Sequence, residues 1–388
     1  MSPGQTTGDR LRESRKRRGL SQRELAHQSG VSISLIRKLE QGERQDTRTE
    51  TLRRLAVGLG VPTTALLGSD RELPPVTAGP AWEPVHHALL SPASGDAREP
   101  VTDEGLDVAL MGAVKLYHDN RYSDLALVLP GLLRDAQDVS PLLRSRVLQL
   151  TGSLMVQTRQ RDIAHIALSR SLADAEESGS PLDAASSIIT MCWLLLLEKQ
   201  FDQVRTMAVQ WADRIEPKLS TAAVTEISTW GWLLLRASAA AIRDNRPGEA
   251  ADIMRLAEAA AVTIGHDQRS YHSYWTTFGP ATVAMKQVEN AVVDDKPDVA
   301  LVLAEKVPRN LRPTSDNRNR HLLDVAAAEL MLRRNTEAFD VLYRLSREAP
   351  TWLANQYMAK DLLGKIITKR RTLTPQMREL ADAVNPPL

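Results

Sequence analysis

Ile33, Ser34, Arg37, Lys38 and Gln41 fall within nine residues. At the advance of an α-helix, about 100° per residue, they occupy one arc between roughly 0° and 140°. On the same wheel Leu35, Ile36 and Leu39 lie at roughly 200°, 300° and 240°, so a helix over 33–41 buries those three and presents the polar set. Arg and Lys donate to guanine O6 and N7, Ser reaches several base edges, and Ile packs on a thymine methyl. Such a face suits the major groove of DNA. It equally fits a helical hairpin turned to solvent, and spacing alone does not separate the two.

The elements that must hold this helix are punctuated just upstream. Ser21 with Glu24 forms a capping box, each side chain satisfying the other residue's free amide, which predicts a helix starting at Gln22. Leu25 and Ala26 form its inner face. Gly30 follows where the chain turns sharply, because a residue without a Cβ takes positive φ freely. Ser32 then caps the second helix. Two helices across a turn of about three residues have the geometry that lays a recognition helix into the major groove.

The runs "LRESRKRRGLSQRELAHQSGVSISLIRKLEQGE" and "TLRRLAVGLGVPTTALLG" resemble the five-helix DNA-binding domain of the phage repressor and Cro family, the XRE-type regulators of bacteria. The resemblance covers about residues 9 to 68. It implies that Gln22 grips a phosphate, that Ser32, Ile33, Ser34 and Lys38 face bases, and that Gln41 contacts a phosphate beyond the recognition helix. Arg37 shares that helix face. Arg15 and Glu40 match a buried ion pair tying the first helix to the third. The loop "GERQDTRTE" lacks the proline of many relatives but offers Arg44 and Arg48 to the backbone.

Charge follows the same division. The 388-residue chain is nearly neutral, at +1, yet residues 1–70 hold 13 Lys or Arg against 8 Asp or Glu, leaving 36 against 40 in the remainder. A basic head that neutralises phosphates joined to a body that does not is the expected arrangement. The run Arg15, Lys16, Arg17, Arg18 is either part of that basic surface or the wet side of the first helix. The excess of Arg over Lys, 38 to 11, fits a GC-rich, actinomycete-type genome.

Cys192 is the one cysteine, which rules out an intramolecular disulfide and fits a reducing cytoplasm. It sits in "IITMCWLLLL", ten residues where a membrane span needs about twenty. "MSPGQTTGDR" has no apolar stretch of a secretory signal. A cytoplasmic protein with no membrane partner is expected, gathered on the nucleoid when bound to DNA.

Three segments follow: a DNA-binding domain over 1–68, a proline-rich linker over 69–102 and a helical body over 103–388. Prolines at 74, 75, 80, 84, 92 and 100 forbid continuous helix or sheet in the linker. Within it Trp82, Val85 and Leu89 share a helical face that can dock on a neighbour. His86 and His87 are adjacent, so they cannot share a helix face and no metal site is expected there.

The body repeats. A polar turn residue, then a residue two on, then a small or apolar residue three further, recurs as Asn120, Tyr122, Leu125; Arg159, Arg161, Ala164; Lys199, Phe201, Val204; Asn245, Pro247, Ala250; Asp295, Pro297, Ala300; and Arg333, Asn335, Ala338. Successive turns are 39, 40, 46, 50 and 38 residues apart. This resembles degenerate tetratricopeptide repeats, stacked helix pairs of about 34 residues, here lengthened. A seventh pair from about Trp352 is expected to cap the array. The fold class is therefore all-α, a five-helix head followed by a tetratricopeptide-like solenoid with a concave face.

A repressor-type head before such repeats resembles the large regulators of actinomycetes and, more distantly, the peptide-sensing regulators of other Gram-positive bacteria. That resemblance implies a homodimer bound to double-stranded DNA and a small-molecule or peptide effector in the repeats. The effector candidate is "HDQRSYHSYWTTFGP", where Tyr271, Tyr274, Trp275 and Phe278 precede a Gly-Pro break; an aromatic wedge filling the core explains the same pattern. A second is "RNLRPTSDNRNRH", where Arg309, Arg312, Arg318 and Arg320 suit a carboxylate or phosphate and Asp316 is expected to cap the next helix. Trp230 and Trp232 cannot share one side of a helix, so one core and one interface position are expected. No HExxH, GxSxG, phosphate-cradling glycine loop or CxxC pair occurs, so the expectation is a non-enzyme without cofactor or metal. A scaffold with a vestigial DNA-binding head is the alternative.

Overall fold

The computed structural model of the chain describes residues 6–44, 47, 49–67, 82–90, 101–269, 277–308, 315–368, 370 and 372–384. The head comprises α1 (Thr7–Arg17), α2 (Gln22–Ser29), α3 (Ile33–Glu40), α4 (Thr49–Leu59) and α5 (Thr64–Leu67). Its helices begin where side chains cap them. Ser21 and Glu24 close the expected box, Thr6 and Asp9 make a second one on α1, and Ser32 accepts from the Leu35 amide. Gly30 terminates α2 at φ 64°, the left-handed conformation the sharp turn requires. Leu11, Leu25, Ile36, Leu39, Leu52, Leu55 and Leu66 close the core, while Leu35 remains half-buried at its edge.

The segment α6 (Glu83–Leu90) docks as its apolar face predicts. Val85, Ala88 and Leu89 enter the core of the body, and Arg170 donates to the Leu89 carbonyl at 2.6 Å. The linker is thus interrupted by a helix that belongs to the repeats. His86 is half-buried beside this contact and His87 exposed, and no metal-binding cluster occurs among the described residues.

The body is a series of helical hairpins. They are α7 (Asp103–His118) with α8 (Tyr122–Asp135), α9 (Pro141–Gln157) with α10 (Arg161–Glu177), and α11 (Pro181–Leu197) with α12 (Phe201–Arg214). Then come α13 (Val224–Arg243) with α14 (Pro247–Ile264), α15 (Pro280–Val293) with α16 (Pro297–Glu305), and α17 (Ser315–Met331) with α18 (Asn335–Glu348). The array ends in α19 (Pro350–Ala354), α20 (Tyr357–Ile367) and α21 (Pro375–Val384). Among the described residues the non-glycine positions with positive φ are Asn120, Arg159, Lys199, Asn245, Asp295 and Arg333, the six turn residues the repeat pattern singles out. After each one the next amide bonds back to a carbonyl five residues earlier, as from Arg121 to Leu116 and from Lys296 to Ala291. This left-handed cap reverses the chain within two residues. The small or apolar residue three positions into each second helix packs it on the first: Leu125, Ala164, Val204, Ala300 and Ala338 are wholly buried and Ala250 nearly so.

Among the described residues a two-residue ladder, β1 (Gln268–Arg269) with β2 (Thr277–Phe278), is the one strand pairing. Phe278 is wholly buried, its ring seated against Gly231 on α13. Trp230 and Trp232 depart from the expectation of one interface position. Both are buried, at 7% and 2% exposure, because α13 is enclosed by α11, α12, α14 and α15. Cys192 is core, and burial pushes its thiol up to about 12. No helix among the described residues is long and apolar enough to cross a membrane.

The repeats coil until their ends meet. Gln157 on α9 donates to Asp316 on α17 at 2.8 Å, Tyr122 reaches the same carboxylate at 3.4 Å, and the Arg159 guanidinium stacks over Tyr357. Asp316 therefore does not cap its own helix as expected; the ring closure claims its oxygens.

Candidate nucleic-acid interface

Glu40, at the end of α3, is the node that fixes the head. Arg15 grips it with two parallel bonds, Nε to Oε1 at 2.6 Å and Nη2 to Oε2 at 2.7 Å, and Gln22 donates to Oε2 at 2.9 Å. Arg15 also donates to the Leu20 carbonyl at 2.7 Å, so one carboxylate ties α1, α2 and α3 together. Burial alone would raise the Glu40 pKa, but the bonds from Arg15 and Gln22 outweigh it and hold the carboxyl below its usual range. The matching bond keeps the Arg15 guanidinium firmly charged. Such a bidentate pair fixes geometry more than it adds net stability. Gly8 completes the brace: a side chain there would run into the Leu39 carbonyl, so α1 and α3 lie backbone to backbone.

The braced helix α3 presents the face the wheel predicts. Ser32, Ser34, Arg37, Lys38 and Gln41 are exposed and Ile33 is half-exposed. Arg37 and Lys38 make no ion pair among the described residues, so both charges stand toward solvent. Arg44 is exposed one turn beyond, its amide bonded to the Lys38 carbonyl. Arg48 lies outside the described residues. Gln22 and Gln41, the two phosphate-contact positions implied by the family resemblance, line one groove with Arg12 and Lys16. The structure thus divides the basic run of α1. Arg15 is buried in the node, Arg17 pairs with Glu13, Arg18 holds the Gly60 carbonyl, and Lys16 faces the groove. Arg12 escaped the sequence reading, although its spacing of four from Lys16 on one helix face marks it.

The head sits on the body through α4 and α5, which leaves α3 uncovered. Arg53 reaches Asp294 at 2.8 Å and Asp295 at 3.3 Å, and Arg54 reaches Asp295 at 3.0 Å. The Thr64 amide and hydroxyl both donate to Asp244, at 2.9 and 2.8 Å. Phe201, first residue of α12, enters the core cluster of the head. The docking residues of the body thus cluster at three consecutive hairpin turns.

Of the residues considered for an effector site, Tyr271, Tyr274, Trp275, Arg309 and Arg312 lie outside the described residues. Phe278 belongs to the core, as a wedge rather than a pocket wall. Arg318 forms an ion pair with Glu348 at 2.6 Å, while its neighbours Asp316, Asn317 and Arg320 line the central cavity.

No curated protein and no solved structure matches the chain in comparison. Residues 7–67, the five helices of the head, match the family model of the helix-turn-helix domain, so this part of the chain is a helix-turn-helix domain of the DNA-binding kind.

Proposed function

We propose that the chain is a sequence-specific transcriptional regulator of the phage repressor and Cro type, with α3 reading the major groove. The observation that carries this is the exposed Ser34, Arg37 and Lys38 face on a helix whose far end is locked by the Glu40 node. A reading helix must be rigid, because base contacts reward only a fixed register. In this reading Ser32, Ile33, Ser34 and Lys38 meet base edges. Gln22, Gln41, Arg44 and the groove cations Arg12 and Lys16 meet phosphates. Gln22 keeps its bond to Glu40 through one Nε2 hydrogen and offers the second, with its own helix-start amide, to a phosphate.

The regulator acts as a homodimer of tetratricopeptide-like repeats on an inverted-repeat operator, since one head of about sixty residues buries too little surface for tight specific binding. Half-site centres then lie about 34 Å apart or a multiple of it. The family resemblance further implies effector control through the repeats, and no chemistry beyond binding is assigned to the chain.

Selection of bound sequences from a random DNA pool, followed by anisotropy titration of full-length variants, tests the reading. Lys38→Ala and Ser34→Ala relax base preference at defined positions, each lost base contact being about 1 to 3 kcal/mol. Lys16→Ala weakens all sequences alike and lowers the salt slope by about one. Unchanged affinity and preference in Lys38→Ala removes α3 as the reading helix. Sedimentation of the full chain checks the dimer, and a monomer bound to an undivided site refutes it.

A further inference from the structure

The inner helices of the coiled repeats enclose a central cavity of about 160 Å³, walled by α7, α9, α11, α13, α15, α17 and α19. This is room for roughly ten waters, or for a small ring bearing a short acidic group. Its charge is unbalanced. Five cations line it, Arg159, Arg236, Arg243, Lys286 and Arg320, against two carboxylates, Glu289 and Asp316. Glu289 is already engaged by Arg243 and by Lys286 at 2.5 and 2.7 Å. Asp316 takes bonds from Gln157 and Tyr122, and burial pushes its pKa up to about 7. Asp324 is buried within electrostatic reach of Glu289, Arg320, Lys286 and Arg243, and its pKa is raised to about 7, first by burial and then by Glu289, against the pull of the three cations. Arg159, Arg236 and Arg320 are left without an ion pair among the described residues. Arg236 donates to the Ile189 carbonyl and has the Trp232 and Trp193 rings 5.1 and 5.9 Å from its guanidinium.

Unpartnered donors point the same way. Asn317 Nδ2 and Trp352 Nε1 are buried without a hydrogen-bond partner and line the cavity, and the Gln149 oxygen beside them is an acceptor left for a water or a donor on the bound molecule. Gln149 is 6% and Trp352 2% exposed, so these groups carry the cost of desolvation with no return inside the chain. Two indole faces, three guanidiniums without a direct ion pair and an orphaned indole N–H together describe the complement of one kind of molecule.

We propose that the central cavity is a binding site for a small anion with a flat apolar body, an aromatic carboxylate or phosphate, its acidic group held by Arg320 and Arg159 and its ring set against Trp193 and Trp232. The guanidiniums supply charge-assisted bonds that strengthen where water is excluded, and Trp352 Nε1 adds a directed donor. If the repeats respond to an effector, this is where it sits; the binding claim stands or falls without the DNA-binding reading.

Isothermal titration of the full-length protein tests it with benzoate, indole-3-acetate and phenyl phosphate, their uncharged counterparts benzamide and indole-3-acetamide, and inorganic phosphate. At least one aromatic anion should bind saturably at one site per chain, about tenfold or more tighter than its amide and than inorganic phosphate, the discrimination one charge-assisted contact provides. A preference among carboxylate and phosphate probes identifies the acidic group. Arg320→Met should weaken binding by about tenfold or more, with Arg320→Lys intermediate because charge survives and the fork does not. If Arg320→Met does not fold, Arg159→Met makes the same test. Absence of saturable binding by any of the aromatic anions overturns the proposal. So does an amide that binds as tightly as its acid, inorganic phosphate that binds as tightly as the aromatic anions, or folded variants that bind like the parent.

Discussion

Glu40→Gln is the most informative single substitution in the head. It is nearly isosteric, keeps an acceptor for Gln22, and removes the charge that Arg15 grips through two bonds. The side chains are 3% and 11% exposed, so the change strands a guanidinium charge among neutral acceptors, the Leu20 carbonyl and the remaining amide oxygen. Breaking a buried pair costs about 3 to 5 kcal/mol, and the lower end applies because Arg15 can turn partly toward water. A domain spanning 7–67 holds roughly 3 to 9 kcal/mol at about 0.05 to 0.15 kcal/mol per residue, so the loss is a large share of its stability. Native-state hydrogen exchange on the full chain reads it locally: amides of α1 to α3 lose protection by about 3 kcal/mol, while the body does not change. Replacing both partners, Arg15→Met with Glu40→Met, restores most of it, since no charge is then stranded. Acid adds a second signature. The folded Glu40 carboxyl titrates below its ordinary value of 4.5, so its contribution is present above that value and lost as pH falls through the lower folded one. The parent head therefore loosens in that acidic window, and Glu40→Gln lacks this step. A loss below about 1 kcal/mol, or the same acid step in both proteins, refutes the role given to the node.

Asp244→Ala removes the acceptor of the Thr64 amide and hydroxyl, and hydrogen exchange should show α5 losing about 1 to 2 kcal/mol of protection, as for a lost helix cap; unchanged exchange means the head docks without it. Gly231→Ala places a methyl within the Phe278 ring and should lower stability by about 1 to 3 kcal/mol in thermal melting, whereas an unshifted melt shows that the ring moves aside. Asp316 has its pKa raised from 3.8 to about 7, so its contribution is present below 3.8 and lost as pH rises through about 7. Asp316→Asn removes the charge, keeps one oxygen to accept from Gln157, and can donate through Nδ2 to the Tyr122 hydroxyl. Its melting temperature should exceed the parent's by a margin that opens above about pH 4 and is full above about pH 7. That margin corresponds to at most about 2 kcal/mol, because Asp316 retains solvent contact; parallel pH profiles refute it.

Features set by neighbours along the chain were readable before any fold was known. Helix starts at Gln22 and Ile33 follow from caps within three residues, and Gly30 from the need for positive φ. The six hairpin turns were legible because a left-handed cap, the helix start two residues on and the small packing residue after it form one local unit. The Arg15 and Glu40 pair was legible only through family resemblance, as its partners are 25 residues apart. Tertiary structure alone decided the rest. Trp232 is a cavity wall and Phe278 a wedge because several helices converge on α13, which periodicity along one helix cannot disclose. Arg53 meets Asp294 across 241 positions, and Gln157 meets Asp316 across 159. Those contacts exist because the hairpins accumulate enough rotation to bring first and last together. That rotation is a sum of small packing angles over the whole array, so the head's seat and the charged cavity belong to the coil rather than to any stretch of residues.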